Sequence, residues 1–389
     1  MAHVLTTRDE DLARTFCRAA SGVVKVPVLD DATAWELLQS LAPEACAADP
    51  AAARSLADAV GGLPLAVKLV GGYLAASEHW RFSDLSQAAL RELGDPRRRL
   101  ALAQARLGDA SGAQQTLEAV VKLSVDDLAR LGEAGARANR AFYALAALAP
   151  KPAVFDLAAA DVVADAAASA LALLAGRNLL EVGAGEWMAI HQVVHDVALT
   201  QMPPEAIERH RAHYLALVNE DREDWQRIER AFPQVQHAWR GLSNDDDRVI
   251  EFVWALRVYF ERRGLGADHL AWADRASQLA QSRHDDRVVA TLLNNIGLVY
   301  SALGDKPKAL DYYEQALPLR RQVGDRWGES VTRFNMAMVF AYMGDLARAE
   351  DELRQVVAID ETVGHPDLAS DRAALAQVQA LRRGGAAAT

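Results

Sequence analysis

Asn294-Asn295-Ile296-Gly297-Leu298-Val299-Tyr300, then Gly304-Asp305, then Ala309-Leu310-Asp311-Tyr312-Tyr313-Glu314-Gln315-Ala316-Leu317 is the stretch that decides the fold. Apolar residues fall at helical spacing on both sides of a glycine, which predicts helix, turn, helix. On the second side Ala309, Leu310, Tyr313, Ala316 and Leu317 share one face. The pattern recurs: Gly264, Gly304 and Gly344 lie forty residues apart, as do Phe260, Tyr300 and Phe340. Leu256, Ile296 and Met336 keep that phase, as do Val258, Leu298 and Met338, and Ala276, Ala316 and Val356. One helical hairpin cannot bury its apolar face alone, so hairpins at a fixed period must stack into a solenoid. Residues 250–384 are expected to form three complete hairpins and a capping helix over about 368–381, with Gly384 in phase beyond it. Phe260, Tyr300 and Phe340 should occupy equivalent buried sites.

Working back toward the N-terminus, residues 205–249 read as a helical connector. Residues 119–204 show helical stretches around Leu123–Leu131, Arg140–Leu148 and Ala158–Leu174. Leu179-Leu180-Glu181-Val182 and Trp187-Met188-Ala189-Ile190 then flank Gly183-Ala184-Gly185-Glu186, a strand, tight turn, strand signal followed by a helix from His191. Three helices and a terminal hairpin outline a winged helix. Residues 31–118 read as helical. Asp30, Asp31 and Thr33 offer N-caps to a helix carrying Trp35, Leu38, Leu41 and Ala42. A helix over about Ala51–Val60 should stop at Gly61-Gly62, and Pro64 should open the next, through Leu65, Leu69 and Tyr73. Residues 81–118 are mixed, with breaks at Gly94-Asp95-Pro96 and Gly108-Asp109. Residues 1–30 look like the end of an α/β domain, with a stub at Val4-Leu5 and a β-branched strand over Val23–Leu29. The expected fold class is therefore mainly α: a remnant of an α/β domain, a helical subdomain, a winged helix and an α-solenoid.

Composition removes several functions. The chain has 389 residues, 51% hydrophobic and 24% charged, with a formal net charge of -11, so a broad basic footprint for nucleic acid is absent. Its two cysteines, Cys17 and Cys46, have no metal-like spacing, which argues against a disulfide scaffold or a structural zinc. No apolar run reaches a membrane span, and the first residues lack a signal-peptide layout, which together predict a cytoplasmic protein. The lysines are Lys25, Lys68, Lys122, Lys151, Lys306 and Lys308, and none follows a glycine. A G-x-x-x-x-G-K-[ST] phosphate loop is therefore missing, and the chain by itself is not expected to turn over ATP.

Two resemblances follow from these residues. The unit from Asn294 to Leu317 resembles tetratricopeptide repeats, in a longer-helix form with a spacing of forty; the likeness is weaker over 250–280, where Leu265-Gly266-Ala267 departs from the usual turn. Residues 1–200 resemble the nucleotide-binding module of signal-transduction ATPases with numerous domains (STAND), the NB-ARC family. Thr6-Thr7-Arg8 is similar to the sensor strand end, Gly62-Leu63-Pro64-Leu65-Ala66 to the GLPLA motif, and Ile190-His191-Gln192 to the Met-His-Asp motif. Gln192 stands where that family has aspartate. The resemblance implies Arg8 as γ-phosphate sensor, Pro64 against adenine and His191 on the β-phosphate of ADP. It divides the chain into a remnant of a P-loop domain (1–30), a helical subdomain (31–118), a winged helix (119–204), a connector (205–249) and the repeats (250–384). It implies ADP or ATP as cofactor, a protein or peptide ligand in the repeats, and homo-oligomerisation of the complete protein.

Each sharp reading has a plainer rival. His191-Gln192-Val193-Val194-His195 is similar to the H-E-x-x-H zinc signature, but Gln192 cannot serve as its base, so no metal site is expected. Val26–Asp31 imitates a Walker B strand, and helix capping explains its acids as well. Asn294, Asn295, Arg333 and Asn335 read either as ligand-binding positions on the concave face or as solvated surface. A winged helix permits DNA binding, yet 155–175 nearly lacks Arg and Lys, which phosphate neutralisation needs. A stand-alone interaction scaffold and a transcriptional regulator remain alternatives to the nucleotide switch.

Overall fold

The computed structural model describes residues 28–75, 110–183, 187–221 and 224–386. Arg8, the strands expected before residue 28, most of the mixed segment 81–118 and the turn at 184–186 lie outside the described residues. The chain divides into two compact units, one of residues 1–213 with 233–237, the other of 214–232 with 238–389.

The first unit opens with α1 (Asp31–Leu41), capped as expected by Asp30, whose Oδ1 accepts the Thr33 N–H at 2.7 Å. A short helix that the sequence reading passed over, α2 (Pro43–Ala48), precedes α3 (Pro50–Ala59). The chain turns at Gly61-Gly62 and re-enters helix at Pro64, giving α4 (Pro64–Ala75). Gly62 has φ +67°, and a Cβ there would stand 2.2 Å from the Leu29 carbonyl oxygen, so only glycine fits. In α4 the pair Gly71-Gly72 sacrifices about 2 kcal/mol of helix propensity. Close packing offsets it. A Cβ on Gly71 would meet Leu41 Cβ at 2.7 Å, and one on Gly72 would meet the Arg177 backbone carbon at 2.7 Å.

α5 (Ala110–Leu128) carries a 3₁₀ extension to Leu131, and α6 (Gly132–Ala144) another to Ala147. The single helix expected over 158–174 is two helices, α7 (Leu157–Ala164) and α8 (Ala168–Gly176), bent by 104°. Asp165 causes the break: it adopts φ +50°, which ends α7 with a left-handed residue. The strands β1 (Glu181–Val182) and β2 (Met188–Ala189) pair antiparallel, and Phe155 bridges Met188 on the other side of β2. α9 (Gln192–Leu199) begins one residue later than expected, because His191 is its N-cap. Gln234 is fully buried and acts as a surrogate strand: its amide accepts from Ala149 N–H at 2.8 Å and donates to Ala149 O at 3.0 Å.

α10 (Pro204–Glu220) follows, and the second unit includes parts of it and of α11 (Trp225–Arg240), whose Trp239 stacks on Trp272 at 4.0 Å. The array follows: α12 (Arg248–Arg263), α13 (Gly266–Ser282), α14 (Asp286–Ala302), α15 (Lys306–Gln322), α16 (Arg326–Tyr342), α17 (Leu346–Val363) and α18 (Leu368–Ala386). The expected solenoid of three hairpins and a final helix is present, though α18 runs on through Gly384 instead of ending near 381.

A shorter period underlies the forty-residue one. A left-handed residue falls every twenty positions: Gly264, His284, Gly304, Gly324, Gly344 and Gly364, with φ between +55° and +88°. Asp285, Asp305, Asp325 and Asp345 follow four of them and cap the next helix by accepting the N–H three residues on. Turns within hairpins and turns between hairpins thus share one chemistry.

The three aromatics are not equivalent. Phe260 and Phe340 are buried, but Tyr300 is only partly so, lying against Tyr312 at 5.4 Å between ring centroids. Tyr313, at 1% exposure, is the anchor of that hairpin. It lies over Gly297, where a Cβ would stand 2.5 Å from its ring. The next hairpin uses Ala337 against a smaller Leu353 in the same phase, both fully buried. Gly297→Ala should therefore cost about 1–2 kcal/mol, because overpacking outweighs the roughly 1 kcal/mol of helix propensity it regains. Adding Tyr313→Leu should recover part of that loss in urea unfolding. A stabilised single variant would disprove the close contact.

Candidate functional site

In the second unit the turn after α12 and the far end of α14 leave a cleft of about 610 Å³. Its apolar wall is Phe260, Leu298 and Leu303, and its rim is Arg257, Asn295 and Lys306. Leu298 belongs to a series, Val258, Leu298 and Met338, that stays partly or fully exposed, and it is the member that lines the cleft. Lys306 is held in place by hydrogen bonds from Nζ to Ser301 O at 2.8 Å and to its hydroxyl at 2.9 Å. The same ammonium sits 4.5 Å from the centroid of the Tyr342 ring, which is 77% exposed. His269 closes the cleft by stacking on Phe260 at 5.2 Å. Burial, with a smaller push from Arg257, lowers its pKa to about 4, so at neutral pH it is an uncharged wall. The cleft offers apolar surface and fixed polar groups, a combination suited to binding.

The polar residues expected on the concave face behave otherwise. Asn294 and Arg333 are buried, and the Asn335 amide donates to Asn294 Oδ1 at 3.1 Å. Arg333 bonds Glu329 at 3.2 Å and Glu352 at 2.5 Å. Glu329 is buried as well; burial pushes its carboxyl up, but hydrogen bonds from Arg321 and Arg333 outweigh that and hold it below its usual range. These residues knit neighbouring helices together, so neither solvated surface nor a free ligand face describes Asn294 or Arg333. Asn295 does line the cleft.

In the first unit, Pro64 is exposed at the first position of α4. His191 is half-buried, with Nδ1 accepting the Val193 N–H at 3.3 Å. That bond places the proton of the neutral ring on Nε2, so the ring can donate there. α4 and α9 both pack on α5, and Pro64 and His191 line neither of the two cavities described here. His195 is a core histidine: its Nε2 lies 2.9 Å from Ala146 O, and burial lowers its pKa. The H-x-x-x-H likeness is thus a helix cap followed by a packing residue. Sequence reasoning passed over a basic hollow of about 330 Å³ lined by Arg137, Arg140, Tyr143 and Arg209. Its arginines come from two segments far apart in sequence, Arg137 and Arg140 from α6 and Arg209 from the helix over Pro204–Glu220, so no local pattern marks it.

Part of the second unit is similar to tetratricopeptide repeats. Residues 258–322 match the family model described as tetratricopeptide repeat, a stretch that takes in the cleft's apolar wall. Among solved structures, the chain is similar to a signal-transduction ATPase with numerous domains bearing a tetratricopeptide repeat sensor from Pyrococcus horikoshii. The identity is 12%, the TM-score 0.31, and the match covers 92% of this chain but 64% of that one. It is also similar to aspartyl phosphate phosphatase F from Bacillus subtilis, at 11% identity and TM-score 0.35, over 90% of this chain and 80% of that one. No curated protein matches the sequence. Among the described residues, no single helix is long and apolar enough to cross a membrane.

Proposed function

We propose that this chain is the sensing and lid portion of a nucleotide-controlled switch of the STAND type. Residues 31–118 and 119–204 would be the helical subdomain and winged helix that close over ADP, with Arg8, Pro64 and His191 toward γ-phosphate, adenine and β-phosphate. The repeats, a protein-binding region, would take a protein or peptide ligand whose preference for the open state shifts the switch toward ATP and oligomerisation. The observation that carries the reading is the element order of 132–199. Three helices, the Phe155–Met188 bridge and a hairpin deliver His191 to a helix start, where its ring is held by its own backbone. Histidine at the start of a helix is suited to meeting a phosphate.

The test is calorimetric titration with ADP. Lacking a phosphate loop, the chain alone should bind at ~0.1 mM or weaker and show no ATP turnover. His191→Ala should weaken ADP further while leaving the circular dichroism unchanged. Binding that ignores both His191→Ala and Pro64→Ala, or that is missing at millimolar ADP, would remove the nucleotide half of the reading. The chain would then be an interaction scaffold, for which the formed cleft already provides.

A further inference from the structure

The last turn of the array departs from the four before it, each of which carries a capping aspartate. After each of the preceding three glycine turns stands a capping aspartate, but Gly364 is followed by His365. The position forty residues before His365 is Asp325, and the position forty before Asp360 is Arg320; those two form a buried ion pair. In the last turn the same two places hold Asp360 and His365, and α18 adds Asp371. A balanced pair has become an acid, a histidine and a second acid. All three are buried, at 0%, 7% and 7% exposure, and one ligand atom from each lies within 4.8 Å of the others. Among the described residues neither acid pairs with an arginine or lysine: Arg372 goes to Glu361 and Arg382 to Glu350.

Two of the buried atoms lack hydrogen-bond partners, Asp360 Oδ2 and His365 Nε2. Asp360 Oδ1 is already held by the Ser330 hydroxyl at 2.5 Å, which fixes the carboxylate and leaves its other oxygen for something else. Buried polar groups without partners are costly, and buried carboxylates without counter-charge more so. We propose that this turn is a metal site, in which Asp360, His365 Nε2 and Asp371 take one divalent first-row transition-metal ion and pin α18 to α17. One imidazole nitrogen and two carboxylates suit zinc or manganese, and the two acids balance the charge.

The imidazole has its orienting partner at hand. Nδ1 now accepts the Asp367 N–H at 3.1 Å, which puts the ring proton on Nε2. Metal binding needs the Nε2 lone pair, so the ring proton must move to Nδ1 and the backbone bond is given up. The Asp367 carboxylate, 3.9 Å from Nδ1, can then accept that proton's hydrogen bond, forming a carboxylate–histidine–metal arrangement. Trp327 lies against the ring at 4.0 Å between centroids and limits its rotation.

The experiment is titration of the chelator-stripped full chain with Zn²⁺ at pH 7.5. One site at micromolar Kd or tighter is expected, with an upward shift in Tm. Asp371→Asn keeps the side-chain shape and should weaken Zn²⁺ at least 30-fold, while Asp367→Asn should weaken it about 10-fold. Unchanged affinity in Asp371→Asn would assign the ion to surface histidines and overturn the proposal. So would failure to bind below 100 µM, which would give the gap to a shared proton and a water. Should Asp371→Asn not fold, the unmodified chain still decides: bound Co²⁺ must broaden the ring signals of His365, and broadening of other histidines alone counts against the site.

Discussion

Taking the protein from pH 7 to pH 4 should strip about 3 kcal/mol from the stability of its first unit through one residue, His210. His210 is 2% exposed, and burial lowers its pKa to about 3. His237, packed at 5.4 Å between ring centroids, pushes the same way, as do His213 and Arg211, against a hydrogen bond with Gln234. In the unfolded chain the same histidine titrates near 6.5. The folded state therefore binds the proton more weakly than the unfolded one, so stability is whole above about pH 6.5 and falls as pH drops through that value toward 3. The slope is about 1.4 kcal/mol per pH unit for one group. His195 is lowered in the same unit, and His269, at about 4, in the other. Urea unfolding at several pH values should show the loss, and His210→Gln, which cannot take the proton, should flatten it. Parallel profiles for parent and variant would mean that His210 is hydrated and titrates normally.

Asp127→Ala should be the most damaging single truncation of the first unit, at about 3–5 kcal/mol. Arg177 is 1% exposed, and its Nη2 sits 3.2 Å from Asp127 Oδ2. Among the described residues, the second carboxylate oxygen has only Arg130 as an ion partner, at 3.7 Å and half in solvent. Removing the acid strands a guanidinium where water cannot reach it. Burial, and then the Asp127 charge against Arg130 and Arg177, raise the Tyr73 hydroxyl nearby to about 12. The double variant Asp127→Ala/Arg177→Met should regain most of the stability, because no charge is then left behind. A single-variant loss below 1 kcal/mol would show the pair to be hydrated.

The helix starts and stops legible in the chain were those with a local cause. Asp30, Pro64 and the glycines at 264, 304 and 344 specify cap, first turn and left-handed stop from their own chemistry. The intermediate turns were hidden because His284 fills one of them, and histidine carries no turn signal. Asp165 broke a helix for the same kind of reason: an aspartate in a left-handed conformation looks in sequence like any polar helix residue. Tyr300 and Tyr313 are both aromatics at helical spacing, and only the missing Cβ of Gly297 decides which ring goes inside. Arg333 reads as solvent-facing until Glu329 and Glu352 appear beside it. Pro64 and His191, the two proposed nucleotide contacts among the described residues, have structural duties, a helix start and a helix cap, that account for them without a ligand. The 360, 365 and 371 spacing straddles a turn, where helical periodicity says nothing; the one visible clue was histidine where aspartate had been the habit.

The uniform turns have a consequence for how the array can change over evolutionary time. Because a left-handed joint recurs every twenty residues, the backbone itself does not distinguish the first helix of a hairpin from the second. Parity is written only in side chains such as Gly297 and Tyr313. Losing or gaining a single twenty-residue step would leave each joint intact while exchanging the inner and outer helices of everything beyond it. Such a chain would still turn corners correctly and yet present its inner wall to solvent. The array must therefore grow and shrink by pairs of helices, under a rule enforced by packing alone.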